Sequence, residues 1–419
     1  MNKSPATESA ISAQPLQGTM AGPGIPRSAD VVVVGGGCMG ASVGFHLARR
    51  GVRVVVLDKA HVASGATGHS GALVRQHYET RIGIQLASRS LAFFQRFEKE
   101  TGFPCDFRTT GFLSGTREKD LPAFEALLKL LRNEGVPMKQ LAPSEAKRIE
   151  PEIELSDYVA LVYDAASGYA DPIATATGFA AACAAAGGVV LEDRAATSVV
   201  TRAGRVVGVK VRGSKTIASE RVVLAAGSWT PKLAAALGVR LPVSFIRGEI
   251  AILRRPVGFV GAPKIHFDFY GDTYSRPDGD KDTLVGYFRT DVHKTIRDAE
   301  LKDDSVSTET VRDLRRRLAR RFPKMARAQP RGGWAGVYDV TPDSYPILDR
   351  IGPRGLFVAA GFSGHGFKLS PEVGRLMTEY VVAGRRPTEL DALRASRFEE
   401  KQPVRLDAPF PARRPPRLA

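Results

Sequence analysis

One stretch constrains this chain more than any other: Val31-Val32-Val33-Val34-Gly35-Gly36-Gly37-Cys38-Met39-Gly40. Four valines in a row read as a strand buried on both faces, because β-branched side chains suit the pleat and nothing polar interrupts them. The strand runs into a Gly-x-Gly-x-x-Gly turn, residues 41–50 follow as a helix, and Gly51 closes it. A second apolar strand over residues 52–57 ends in Asp58. Strand, loop, helix and strand with a terminal acid make up a dinucleotide-binding unit. Gly35 permits the tight turn, Gly37 lets a pyrophosphate approach the backbone, and Gly40 lets the helix lie close on the strand. The helix N-terminus offers free N–H groups and partial positive charge to phosphates. Asp58 can accept hydrogen bonds from ribose hydroxyls. The motif alone does not separate FAD from NAD.

Length and composition narrow the class. A chain of 419 residues is long enough for two or three domains or interleaved lobes, and a hydrophobic share of 43% excludes wholesale disorder. Cys38, Cys105 and Cys183 stand far apart without a Cys-x-x-Cys, so neither a disulfide framework nor a metal site is expected. That suits a reducing, cytoplasmic setting. The longest apolar runs are strand-length, so no transmembrane helix and no membrane partner are expected. Residues 1–29, rich in Ser, Ala, Pro and Gly, read as a disordered extension rather than a secretory signal. Residues 386–419 read as a C-terminal extension, disordered over 411–417. The net charge of +16 allows a nucleic-acid partner. The densest basic stretch holds Arg315, Arg316, Arg317, Arg320 and Arg321, and Val311, Leu314, Leu318 and Phe322 form its inward stripe. Such a run is more often a solvated helix face than a nucleic-acid site.

Further along, residues 59–71 form a long loop of small and hydroxyl residues, costly to order unless something lies on it. Helices are expected over 84–100, 121–133, 173–186, 231–237 and 371–382. Residues 189–218 read as a small meander, and residues 243–290 alternate like an antiparallel sheet. Two more buried strands end in glycine, at Gly227 and Gly361. Ligands of open parallel sheets bind outside the carboxyl ends of strands. The simplest arrangement therefore brings the ends at Gly35, Gly227 and Gly361 to one bound cofactor, with the sheet lobe as its roof.

Five stretches make the resemblance specific: 33–37, 71–78 (Gly-Ala-Leu-Val-Arg-Gln-His-Tyr), 223–230 (Val-Leu-Ala-Ala-Gly-Ser-Trp-Thr), Thr341-Pro342-Asp343, and 361–368 (Gly-Phe-Ser-Gly-His-Gly-Phe-Lys). With them the chain resembles the D-amino-acid-oxidase-like FAD family, in the branch of monomeric sarcosine oxidase, glycine oxidase and the sarcosine oxidase beta subunit. The fold class this implies is α/β with an α+β second lobe. A Rossmann-type FAD-binding domain, discontinuous over 30–107, 168–244 and 340–385, carries an antiparallel-sheet substrate domain over 108–167 and 245–339. By position in the family, Gly35, Gly37, Met39 and Gly40 would hold the pyrophosphate and Asp58 the ribose. Lys59, Ser70 and Gly71 would lie further along the cofactor, and Val199 would meet the adenine through its backbone. Ala226, Gly227 and Trp229 would flank its middle, and Gly361, Gly364, His365, Gly366 and Lys368 its pyrimidine end.

The resemblance implies oxidation of the C–N bond of an amino acid or N-methyl amino acid to an imine, with electrons passed to O2 or another acceptor. Arg75 and Lys368 match the cationic contacts to the substrate carboxylate, and Tyr274 is a candidate for the substrate side. Two other readings stay open: action on an amino-acid-like group of a modified tRNA, and an FAD-binding accessory subunit with a partner subunit. The family's oxygen-activating lysine falls loosely on Leu284, which leaves a dehydrogenase open. Where monomeric sarcosine oxidase attaches its flavin through cysteine, this chain has Gly336, so FAD is expected to be non-covalent. Acid precipitation is expected to give a colourless pellet and a yellow supernatant; a yellow pellet would overturn the expectation.

Overall fold

The computed structural model describes residues 24–213, 215–261, 263–288 and 293–410. The four valines form the strand Val31–Val34, buried throughout, inside a six-stranded sheet. Its order by residue range is 347–350, 356–360, 222–224, 31–34, 54–57, 189–191. All neighbours run parallel except the hairpin of Ile347–Arg350 with Leu356–Ala360. The strands that end at Gly35, Gly227 and Gly361 are thus side by side, with Val32 opposite Val222 and Val222 opposite Leu356. A three-stranded meander over 196–218 lies beside this sheet.

Two helices carry the ends of the sheet, Cys38–Ala48 and Gly366–Ala383. The second begins before the expected residue 371 and runs through Pro371. Proline cannot donate to the carbonyl four residues back; the Ser370 hydroxyl donates to the Phe367 carbonyl at 2.8 Å instead, so the helix is not interrupted. The expected helix over 84–100 is two, Arg81–Phe94 and Phe97–Thr101. Gln95 and Arg96 separate them, Arg96 having left helical geometry at φ −122, ψ 17.

The second lobe is a nine-stranded sheet. Its long strand Ser244–Arg254 pairs with Asp282–Tyr287 and Lys294–Ile296 along one edge and with Gln329–Val340 along the other. The sheet continues through Thr273–Asp278 and Ile265–Asp268 to Phe112–Thr116, Ala160–Asp164 and Lys139–Leu141, antiparallel except between Ile265–Asp268 and Phe112–Thr116. Strand Gln329–Val340 escapes the sequence pattern because Gly332, Gly333 and Gly336 break its alternation. The basic stretch lies in the helix Thr308–Arg321 against this sheet, with Val311, Leu314, Leu318 and Phe322 buried as their spacing indicates. Three of its arginines face carboxylates: Arg316 and Arg317 both meet Asp313, the latter at 2.6 Å, and buried Arg321 meets Asp157 at 2.7 Å and Asp268 at 3.4 Å. Among the described residues no helix is long and apolar enough to cross a membrane.

Both extensions are packed where they are described. Arg27 and Ala29 exchange backbone hydrogen bonds with Ala218, which corrects the expected disorder at the end of residues 1–29; residues 1–23 and the expected disordered stretch 411–417 lie outside the described residues. Residues 386–410 lie against the body. Arg397, wholly buried, forms a forked pair with Asp343 at 2.8 and 3.0 Å and donates to the Tyr345 carbonyl at 2.7 Å. Burial alone would raise the Asp343 carboxyl, but Arg397 outweighs it and holds the carboxyl below its ordinary value. The pair therefore stabilises the fold above the unfolded carboxylate range and loses that contribution as pH falls through it. Breaking a buried pair on one side leaves an uncompensated charge. Arg397→Met is expected to lower stability by about 3–5 kcal/mol in urea unfolding at pH 7, with a smaller deficit at acid pH.

Candidate active site

The carboxyl ends of the three glycine-ended strands open on one cavity of about 1510 Å³, walled on its far side by the nine-stranded sheet. The loop after Val34 shapes its floor. Gly35 takes φ +112, and a Cβ there would stand 2.3 Å from the Ala225 carbonyl oxygen. Asp58 lines the same wall; its carboxylate accepts from the Gly36 N–H at 2.6 Å and the Ala60 N–H at 2.9 Å. The helix Cys38–Ala48 has no acid in its first turn, and the Thr67 hydroxyl takes the Cys38 N–H at 3.1 Å. Lys59 lies 3.9 Å from the Trp229 ring centroid and pairs with Glu300; burial lowers its ammonium pKa.

A second helix N-terminus meets the cavity through residues 361–368. Positive φ at Gly361, Ser363 and Gly364 bends that loop. Asp339 braces it: its carboxylate accepts from the Gly361 N–H at 2.6 Å and its carbonyl from the Ser363 N–H at 2.8 Å. Burial pushes the Asp339 carboxyl up to about 6, against the Gly361 N–H that favours its charged form. His365 sits with its Nδ1 3.1 Å from the Tyr78 hydroxyl.

Two buried cations mark one region of the wall. Arg75, 5% exposed, donates to the His77 carbonyl and lies 4.5 Å from the Phe267 ring and 4.8 Å from the Tyr78 ring. Lys368, 7% exposed, has no ion-pair or side-chain hydrogen-bond partner among the described residues. Burial, and then the charge of Arg75, hold its ammonium well below the ordinary lysine range. Phe267, Phe269 and Phe288 surround the pair's neighbourhood, with ring centroids 4.9 to 6.1 Å apart. Tyr274 stacks on Phe267 at 5.8 Å and pairs across the sheet with Gly286, where a Cβ would meet the Tyr274 ring at 2.6 Å. Burial, with Tyr338 beside it, raises the Tyr274 phenol well above its ordinary value, so it remains a donor.

Of the residues the sequence singles out, Gly35, Gly37, Met39, Asp58, Lys59, Ser70, Gly71, Arg75, Ala226, Gly227, Trp229, Tyr274, Gly364, His365, Gly366 and Lys368 all line this cavity. Gly40, Val199 and Gly361 do not. A Cβ on Gly40 would stand 1.8 Å from the Gly35 carbonyl oxygen, and one on Gly361 2.4 Å from Thr341 Cγ2, so both serve close packing. Val199 is buried in the strand Ala196–Arg202, and Ala195, Ala196 and Thr197 reach the wall before it. Sequence reasoning passed over Thr67, Asp339 and the three phenylalanines; Thr67 lies in the loop already suspected, whereas the phenylalanines read as ordinary core. Leu284 is wholly buried and off the wall.

A parallel sheet with a glycine-cradled helix N-terminus at its switch point, under an antiparallel roof, defines a dinucleotide-dependent protein of two lobes. Residues 30–380 match the family described as FAD dependent oxidoreductase (DAO), and the chain belongs to that family. Mitochondrial sarcosine dehydrogenase of Mus musculus is 26% identical over 89% of this chain and 42% of its own length, so this chain spans less than half of that relative. Glycine oxidase of Geobacillus kaustophilus is 29% identical over 84% of this chain and 92% of its own. The solved L-proline dehydrogenase from P. horikoshii has a TM-score of 0.83 at 26% identity, covering 91% of this chain and 100% of that one. The cofactor of this family is FAD.

The residues present fit FAD. Gly35 lets the turn close on Ala225, Gly37 lines the cavity without a side chain, two helix N-termini without first-turn acids reach the wall, and Asp58 stands ready for hydroxyls. A cationic Lys368 attracts an anion only below its lowered pKa. Acetate affinity of the FAD-loaded protein, read from the visible spectrum, is expected to fall as pH rises through that pKa. Lys368→Met is expected to bind acetate weakly at every pH and to lose that limb of the profile.

Proposed function

We propose that this protein oxidises the C–N bond of a small amino acid or N-methyl amino acid, with FAD held non-covalently in the cavity. The observation that carries the reading is the meeting of Arg75 and Lys368, both buried, on a wall of aromatic rings. Two cations taken out of water without an evident protein anion beside Lys368 suit an anionic ligand. A carboxylate is the natural match for a guanidinium fork. The named activities of its relatives concern sarcosine, glycine and L-proline, all small carboxylates bearing an amine. Non-covalent binding is supported at Gly336, where even a Cβ would stand 2.8 Å from His69 Cβ.

The side chains then divide the work. Arg75 and Lys368 take the carboxylate and so fix the carbon beside it. Their charges also oppose a third positive charge nearby, which weakens the substrate ammonium's hold on its proton. The neutral nitrogen that results has the lone pair that loss of hydride from carbon requires. Phe267, Phe269 and Phe288 keep water from the reacting carbon. When bound, FAD supplies the two-electron acceptor. With Leu284 off the wall, nothing at that position favours O2 over another acceptor.

Anaerobic titration of the yellow protein with sarcosine, glycine, L-proline and D-alanine is expected to bleach the flavin with at least one of them; the speed of colour return in air separates oxidase from dehydrogenase. Bleaching by dithionite alone would sink the proposal. A charge-assisted hydrogen bond contributes about 1.5–3 kcal/mol. Arg75→Ala is therefore expected to raise KM roughly ten- to hundredfold, while acetate affinity falls in step.

A further inference from the structure

The family match ends at residue 380, and the chain then turns back across its own active-site lobe. Three anchors hold this strap. Asp349 takes Arg386 at 2.8 Å and the Ala395 N–H at 2.8 Å. Asp343 takes Arg397 and the Val404 N–H, the latter at 2.9 Å. Then the strap reaches the start of the helix Arg81–Phe94, where the Glu79 carbonyl accepts from Asp407 and Ala408, and the Asp407 carboxylate accepts from the Arg81 N–H at 2.8 Å. The Phe410 N–H donates to the Glu79 carboxylate at 3.0 Å.

These bonds serve to place one side chain. Residues 399–403 are exposed, yet Phe410 is 0% exposed. Its ring meets Phe124 at 5.4 Å and Phe269 at 5.5 Å, edge-on in both contacts. Phe269 is a cavity-wall residue and touches Phe267 and Phe288, and Phe267 lies against Arg75. Phe410 itself is not on the wall. It stands directly behind Phe269 and occupies the space into which that ring would otherwise retreat. Close-packed interiors pass on such a loss of support as movement of the unsupported ring.

We propose that the C-terminal strap is the outer wall of the substrate chamber, and that Phe410 is a positioning residue which sets, through Phe269, how large a substrate side chain the chamber admits. The inference rests on the amino-acid reading above and extends it from the carboxylate to the side chain. The side chain in question is apolar and small, because the rings facing it carry no polar group and are held from behind.

The test uses the full-length, FAD-loaded protein with Phe410→Ala, Phe410→Leu and Phe410→Trp. Flavin reduction is followed with glycine, alanine, 2-aminobutyrate, norvaline and leucine, and the spectral Kd with acetate, propionate, butyrate and benzoate. Phe410→Ala is expected to shift the large-to-small ratio of kcat/KM at least tenfold toward bulkier substrates, mostly through KM. Phe410→Leu is expected to shift it less, and Phe410→Trp the other way. The carboxylate series should shift in the same order. An unchanged size profile, or an equal loss for every member, in variants whose thermal melts remain cooperative would overturn the proposal. Should the alanine variant fail to fold, the leucine and tryptophan variants decide alone by opposite or absent shifts. If no amino acid reduces the wild-type flavin, the amino-acid reading fails, and the carboxylate size profile still reports on the wall.

Discussion

Two contacts that leave no room for a side chain hold the site in place. Gly40 packs its Cα against the Gly35 carbonyl, where a Cβ would stand at 1.8 Å, and Gly374 packs against Ser42, where a Cβ would stand 2.1 Å from the hydroxyl oxygen. The first seats the helix Cys38–Ala48 on its own strand; the second seats Gly366–Ala383 on that helix. Both N-termini consequently arrive at the ends of the same sheet, and their partial positive charges add up to one anion-favouring wall. A methyl group at either glycine would push a helix outward and separate the glycine loop from Arg75 and Lys368. Glycine is required there for closeness and not for chain freedom, since neither residue has positive φ.

Charge and burial then act against each other to make the site reactive. Lys368 and Arg75 sit at 7% and 5% exposure on one wall, each raising the cost of the other's charge. A folded chain tolerates this where a function returns the cost. In the proposed reaction a substrate carboxylate is that return. Asp339 shows the same opposition with the reverse sign: burial favours its proton, while the Gly361 N–H favours its charge. The bend at residues 361–364 is thus braced by a carboxyl that burial pushes up to about 6.

The motif Thr341-Pro342-Asp343 gains a structural meaning from the strap. Asp343 is the carboxylate on which Arg397 and Val404 close, and the Thr341 hydroxyl donates to the Tyr345 carbonyl at 2.7 Å. The Tyr345 hydroxyl in turn meets Thr80 at 2.8 Å, beside the strap's last anchor at Glu79. A short motif near the loop 361–368, the start of a helix and residues 386–410 are therefore tied into one connected unit beside the cavity.

Much of this was legible in local patterns. A run of valines into Gly-x-Gly-x-x-Gly has few alternatives, and three glycine-ended apolar strands have one economical arrangement, so the parallel sheet and its shared cavity were readable from residue order. The inward stripe of the helix Thr308–Arg321 was readable for the same reason, since its period is set by helix geometry alone. The last helix starts before Pro371, where its sequence pattern points, and the Ser370 hydroxyl that replaces the missing donor leaves no sequence signal of its own. What the sequence by itself determined, then, is the nucleotide-binding unit, the carrier of the cofactor and the residue types that can clamp a carboxylate. Only the tertiary structure decided that Ala196 and Thr197 rather than Val199 line the cavity, that Phe267, Phe269 and Phe288 face it, and that Phe410 packs against Phe269. Those facts depend on which segments distant in the chain meet, and the burial of an aromatic ring is written in its neighbours rather than in its own letter.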